Sequence, residues 1–111
     1  MFAVIIDNMM NLEVLFNAAD LTGNDTLRQI AISHADKTMT NHVRADGAFL
    51  SSTLTVVACD ILCTGSSFHL VDYNATTGAV IAQGTVQGYS NSSTWSRGQA
   101  WGLYGFANSA Q

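Results

Sequence analysis

The sequence predicts a mainly α-helical body that carries a β-hairpin. Three observations lead there. Apolar residues recur at helical spacing through two consecutive stretches, from Asn8 to Leu21 and from Leu27 to Thr38. An alternating run, a turn and a second short apolar run then follow between Phe68 and Gln83. A last helix-compatible run starts near Trp95, and the chain contains no proline to break any of these.

The first stretch opens on AVIIDNMMNL, Ala3 to Leu12, which sets one carboxylate, Asp7, between four apolar residues and a pair of methionines. An acid in an apolar setting is costly unless paired or protonated. Two readings stay open for it, a helix N-cap and a catalytic acid. From Asn8 to Leu21 the apolar residues Met9, Met10, Leu12, Val14, Leu15, Phe16, Ala18 and Ala19 occupy most faces, as in a buried helix. Gly23 suits the residue just past a helix end. Asn24 or Asp25 can cap the next helix, where Leu27, Ile30, Ala31, His34, Ala35 and Thr38 keep the i, i+3, i+4 rhythm. Residues 8–42 therefore predict a helical hairpin, with His42 to Gly47 as a turn.

Phe68 to Tyr73 alternates like a strand, Asn74 to Gly78 supplies turn residues, and Ala79 to Gln83 returns. Two strands make no stable sheet alone, so the hairpin decorates the helical body. Gly84 to Ser93 is a polar loop. Ser93 or Thr94 can cap a final helix from about Trp95 to Asn108. Gly98, Ala100, Gly102 and Gly105 fit that helix where it packs closely on a neighbour.

Composition narrows the classes of function. The chain has 111 residues, 48% of them hydrophobic and only 11% charged. That is little charge for the surface of a free-standing domain, and it suits a piece of a larger core. A net charge of −4 with four basic residues excludes a nucleic-acid footprint. No apolar run reaches a membrane span. Met1 to Ile6 is too short and lacks the basic flank of a signal peptide; in a fragment the targeting segment would lie upstream, and the compartment stays open. Cys59 and Cys63 form a C-x-x-x-C pair with no histidine cluster beside it in sequence, which predicts neither metal nor redox chemistry. Sequons occur at Asn24, Asn74 and Asn91 in a chain rich in Ser, Thr and Asn.

Three stretches carry a resemblance, as does their order: IIDNMMNLEVLFNAADLTGN, ISHADKTMTNHVRADG, and SSFHLVDYNATTGAVIAQGTVQGYSNSSTWSRGQAWGLYGFA. The run G-T-x-Q-G-Y-S-x-x-S-x-W-x-R-G-Q-A-W is the most specific part. Together they resemble the unsaturated glucuronyl hydrolases of glycoside hydrolase family 88. The resemblance implies a fragment of an (α/α)6 barrel of the six-hairpin glycosidase type. It implies a substrate with a 4,5-unsaturated uronic acid at the non-reducing end of a lyase-generated oligosaccharide. It implies hydration of a vinyl ether, with a proton delivered to C4, water added at C5, and collapse of the hemiketal. Neither cofactor nor metal is implied, and no obligate protein partner is evident.

The same resemblance places the general acid/base of the D-x-M-M-N-L motif at Asp7. Apolar neighbours and a helix N-terminus would act on such an acid in opposite directions. It places the active-site histidine at His69, whose other reading is a structural histidine on a strand. It sets Thr85 and Gln87, otherwise turn residues, against the uronic acid. Trp95, Arg97, Gln99 and Trp101 follow, where the tryptophans read alone are core. Arg97 and Trp101, spaced i, i+4, share a helix face that suits a sugar carboxylate and a sugar ring. Trp95 and Gln99 would be supporting walls.

Two departures qualify the match. The family's second aspartate, partner of the acid, lies upstream of the D-x-M-M-N-L motif and has no counterpart here, so the isolated chain is expected to be incomplete and inactive. Ala48 to Gly65, AFLSSTLTVVACDILCTG, also interrupts what should be a short turn, and we expect it to be a non-family insert of retained-intron origin within a partial catalytic domain spanning 1–111. Two other readings remain: an unsaturated rhamnogalacturonyl hydrolase, and an inactive truncated chain that at most binds carbohydrate.

Overall fold

In a computed structural model of the chain, residues 1–44 and 66–110 are described. The insert expected at 48–65, with Cys59 and Cys63, lies outside them. The described chain is mainly helical with one small sheet. Strand β1 (Phe2–Ile5) leads into a 3-10 segment (Ile6–Asn11), then helix α1 (Leu12–Thr22) and helix α2 (Asp25–His42). Strands β2 (Leu70–Tyr73) and β3 (Val80–Gly84) and helix α3 (Ser96–Ser109) complete it.

The helical hairpin forms where local signals place it. Gly23 takes φ +68, the left-handed conformation that ends a helix without a Cβ penalty. Asn24 is extended, and its side chain accepts from Thr26 N at 3.1 Å. Such a cap contributes about 1 kcal/mol. The caps expected at the other two helical starts are absent. The helical path begins at Ile6 as a 3-10 turn behind an extended Ile5, so Asp7 sits inside the first turn and is no N-cap. Trp95, rather than Ser93 or Thr94, precedes α3, without a side-chain cap.

The sheet corrects the expectation of a two-stranded hairpin. β1 joins it and the strand order is β1-β2-β3, antiparallel throughout. Phe2 faces Tyr73 and Ile5 faces Leu70 in one ladder, while Leu70 faces Gly84 in the other. The turn between β2 and β3 works as its residues suggest. Asn74 Oδ1 accepts from Thr76 N and Thr77 N, and Gly78 takes φ +73. His69, expected on the first strand, lies just before β2.

The core gathers Ile6, Met9, Leu12, Ala31, Ala35 and Phe106, with Leu15, Phe16, Met39, Val43 and Leu103 against them. The first helix is not buried all round: Val14 and Leu21 are 68% and 87% exposed, and Ile30 and Ile32 of α2 also reach the surface. α3 approaches the 3-10 segment closely because Gly98, Gly102 and Gly105 offer no side chains there. A Cβ at Gly102 would stand 2.9 Å from Ile6 Cδ1.

The end of α2 is stitched to the sheet. Asn41 Nδ2 donates to the Tyr73 hydroxyl at 3.1 Å and Gln83 Nε2 donates to Asn41 O at 2.6 Å. His42 is fully buried, with Nε2 3.2 Å from the carbonyl of Val4. Burial lowers its pKa from 6.5 to about 4; the Val4 hydrogen bond opposes the shift, and His34 and His69 add to it. The unfolded chain therefore binds a proton that the folded chain refuses between about pH 6.5 and pH 4. This contribution to stability is fully present above that window and is lost as pH falls through it, by on the order of 3 kcal/mol. Thermal unfolding midpoints should fall across this range, and His42→Phe should flatten the slope. A wild-type curve level through the window would rule out the buried neutral histidine.

Candidate functional site

The site forms where the 3-10 segment meets the start of β2 and the loop after β3. Ile6 N donates to His69 O at 2.9 Å, which ties the two segments at this point. Ile6 is buried, and the next residue, Asp7, turns toward the histidine. Asp7 Oδ2 lies 3.5 Å from His69 Nε2. Neither atom has a partner in hydrogen-bonding geometry. The His69 side chain is 2% exposed, while that of Asp7 is 24% exposed. The acid thus keeps a window to solvent beside a ring that has none.

The loop after β3 orders the histidine. Val86 N donates to His69 Nδ1 at 3.2 Å, and Thr85 Oγ1 lies 3.2 Å from the same atom. A backbone N–H can only donate, so Nδ1 must offer its lone pair. The ring proton is therefore assigned to Nε2, on the side of Asp7. Thr85 is itself fixed: its Oγ1 accepts from Gly88 N at 2.7 Å and its N donates to Asn91 Oδ1 at 3.2 Å.

Aromatic and cationic groups continue the cluster. The His69 and Trp95 ring centroids are 4.5 Å apart with planes tilted by 44°. Arg97 stacks on Trp95, its Cζ 4.7 Å from the ring centroid. Gln99 accepts from Ser67 Oγ at 2.6 Å. Trp101 is half-buried one helical turn after Arg97, and Gln87 is exposed on the loop.

Five expected residues, Asp7, His69, Thr85, Trp95 and Arg97, thus form one connected chain of contacts. Gln99 joins α3 to the residue before Phe68. Gln87 and Trp101 lie on the same loop and helix, outside that chain of contacts. The sequence reading passed over Arg44, whose side chain holds loop backbone, and Ser67, whose hydroxyl holds Gln99. Their only sequence signal is weak: Arg44 is one of four basic residues, placed where a helix has just ended. A groove lined by Val4, Ile30, His34, Lys37 and Tyr73 lies between α2 and the sheet and includes none of these site residues. Among the described residues no helix is long and apolar enough to cross a membrane.

No protein-family model matches the chain. The chain is 39% identical over 108 residues to the unsaturated glucuronyl hydrolase of Formosa agariphila, covering 97% of this chain and 22% of that protein. It is 36% identical over 104 residues to the unsaturated chondroitin disaccharide hydrolase of Streptococcus agalactiae serotype III, covering 94% of this chain and 22% of that one. A crystal structure of an unsaturated glucuronyl hydrolase specific for heparin superposes with a TM-score of 0.80 at 39% identity, over 98% of this chain and 24% of that chain. The unsaturated glucuronyl hydrolase of Bacillus sp. GL1, responsible for degradation of glycosaminoglycan, gives a TM-score of 0.75 at 37% identity, over 95% of this chain and 23% of that chain. The resemblance read from the motifs therefore holds almost end to end, and the rhamnogalacturonyl alternative gains nothing from these relatives. The chain spans about a fifth of the length of the curated relatives it matches.

Proposed function

We propose that this chain is the acid-bearing segment of an unsaturated glucuronyl hydrolase, and that Asp7 is its proton donor. The observation that carries the reading is the approach of Asp7 to a buried, loop-fixed His69 within the stretch that matches such hydrolases. The substrate class is an oligosaccharide ending in a 4,5-unsaturated uronic acid. A relative has been solved as a variant with the sugar dGlcA-Glc-Rha-Glc, which supports a ligand of this kind.

The resemblance supplies the mechanism, and the groups present are of the types it needs. Asp7, protonated, delivers its proton to C4 of the vinyl ether, and positive charge develops at C5 and the ring oxygen. Water attacks C5, and the Asp7 carboxylate takes the proton that water loses. The hemiketal opens by breaking the bond from C5 to the ring oxygen, which leaves a ketone at C5 and a hemiacetal at C1. Collapse of that hemiacetal to an aldehyde breaks the glycosidic bond and releases the rest of the chain as an alcohol. One carboxylate serves both steps because it leaves each in the form the next requires. His69, its ring buried, sets Nε2–H beside Asp7 and tunes the acid, Thr85 fixes that ring, and Gln87 reads the uronic acid. Arg97 offers a planar fork to the sugar carboxylate, while Trp101 offers an apolar face to the ring and Trp95 and Gln99 wall the site.

The exposed apolar residues of the helices fit the same reading. Val14 and Leu21 of α1 and Ile30 and Ile32 of α2 are exposed, and apolar side chains left in solvent on both helices suit contacts to be covered. We read them as faces that further helical hairpins of an (α/α)6 barrel would cover. The complete polypeptide encoded by the reading frame, given an unsaturated chondroitin or heparin disaccharide, should bleach the ultraviolet absorbance of the conjugated double bond. Bleaching of unsaturated pectin fragments alone would move the assignment to a rhamnogalacturonyl hydrolase. Activity on none of them would leave a carbohydrate-binding chain at most.

A further inference from the structure

We propose, resting on the reading above for what the loop touches, that Arg44 is a positioning residue for the loop running from Thr85 to Trp95. The first half of this loop is tied to His69 through Thr85 and Val86. Its second half turns on itself: Ser93 N and Oγ both donate to Ser90 O, and Ser93 Oγ accepts from Ser90 N. That turn is fastened from outside by Arg44. Nη1 donates to Ser92 O, and Nη2 donates to Ser93 O at 2.8 Å.

The guanidinium is well held for this task. Its Cζ lies 4.3 Å from the Phe68 ring centroid, and Arg44 N donates to Ser66 O at 3.0 Å. Val43 bridges to Ser67 beside it. Among the described residues no carboxylate lies within ion-pair distance of Arg44, so its charge is spent on backbone carbonyls: those of Ser92 and Ser93 in the loop, and that of Ser67, to which Nη2 also donates at 3.5 Å. Two carbonyls on successive residues match the two parallel N–H groups of a guanidinium, and an ammonium on a flexible stem cannot reproduce that fork. Ser92 and Ser93 stand just before Trp95, whose ring packs on His69. Arg44 therefore sets the far end of the loop as His69 sets its near end, and Gln87 is presented between two fixed points.

The test uses the complete polypeptide, with Arg44→Lys and Arg44→Ala. On an unsaturated chondroitin disaccharide, Arg44→Lys should raise KM by about tenfold with kcat within about twofold, because binding groups move while Asp7 does not. Arg44→Ala should lose more, and millimolar guanidinium should restore part of its KM while leaving wild type unchanged. Amide hydrogen exchange over residues 85–95 needs no sugar, and should be faster in Arg44→Lys than in wild type. Unchanged exchange in that loop would overturn the clamp even if the parent proves inactive, an outcome that would sink the functional reading instead. Wild-type KM in both variants, a fall in kcat at constant KM, or global unfolding of Arg44→Lys would each overturn it as well.

Discussion

Asp7→Asn should lower turnover of an unsaturated disaccharide by about 10²–10⁴-fold, the range that positioned acid–base groups contribute. The amide has the shape of the carboxylate but can neither give an acidic proton to C4 nor take one from water. The geometry around it should survive. His69 Nε2 lies 3.5 Å from Asp7 Oδ2 with no hydrogen bond between them, so exchanging the carboxylate for an amide breaks no contact there. His69 itself is held by Val86 and Thr85, not by the acid. Binding of the disaccharide, measured by calorimetry, should therefore stay close to wild type while the ultraviolet signal persists unbleached. Turnover within about threefold of wild type would remove Asp7 from the chemistry. An equal loss of binding and turnover would make it a substrate contact rather than the proton donor.

The parts of the molecule legible in sequence are those set by neighbouring residues. Gly23 and Asn24 mark the end of one helix and the start of the next, and both adopt the conformations their types favour. Asn74 and Gly78 do the same for the hairpin turn. Phe2 to Ile5 was not legible as a strand, because its partner is β2, which follows long after it in the chain. A short apolar run that precedes a helix has no local feature to separate strand from helical lead-in. The Asp7–His69 approach has the same cause: it depends on the β1–β2 register and on Ile6 N meeting His69 O. The family motif supplied both residues, but it could not say that they meet. Arg44 shows the limit most plainly, since its ligands are backbone carbonyls, and carbonyls leave no mark on residue type.

Gly105→Ala should cost stability and activity together, and here the sign is the informative part. In an open helix interior the change would stabilise by about 1 kcal/mol, because alanine has the higher helix propensity. At Gly105 a Cβ would stand 2.5 Å from both Met9 Cβ and Met9 O, and a backbone oxygen has no rotamer by which to yield. Overpacking of this kind costs about 1–3 kcal/mol, so the net effect should be destabilising. Met9 is buried in the same 3-10 segment as Asp7. Relief of the clash must push that segment from α3 and carry the acid with it. A shift near 1 Å in a reacting group can cost up to about 10²-fold in rate. Gly102→Ala is the control, because its Cβ would meet the tip of Ile6, which can turn aside. Denaturant midpoints and turnover of the two variants decide the matter. A Gly105→Ala protein more stable than wild type would mean that the helix does not press on the acid-bearing turn.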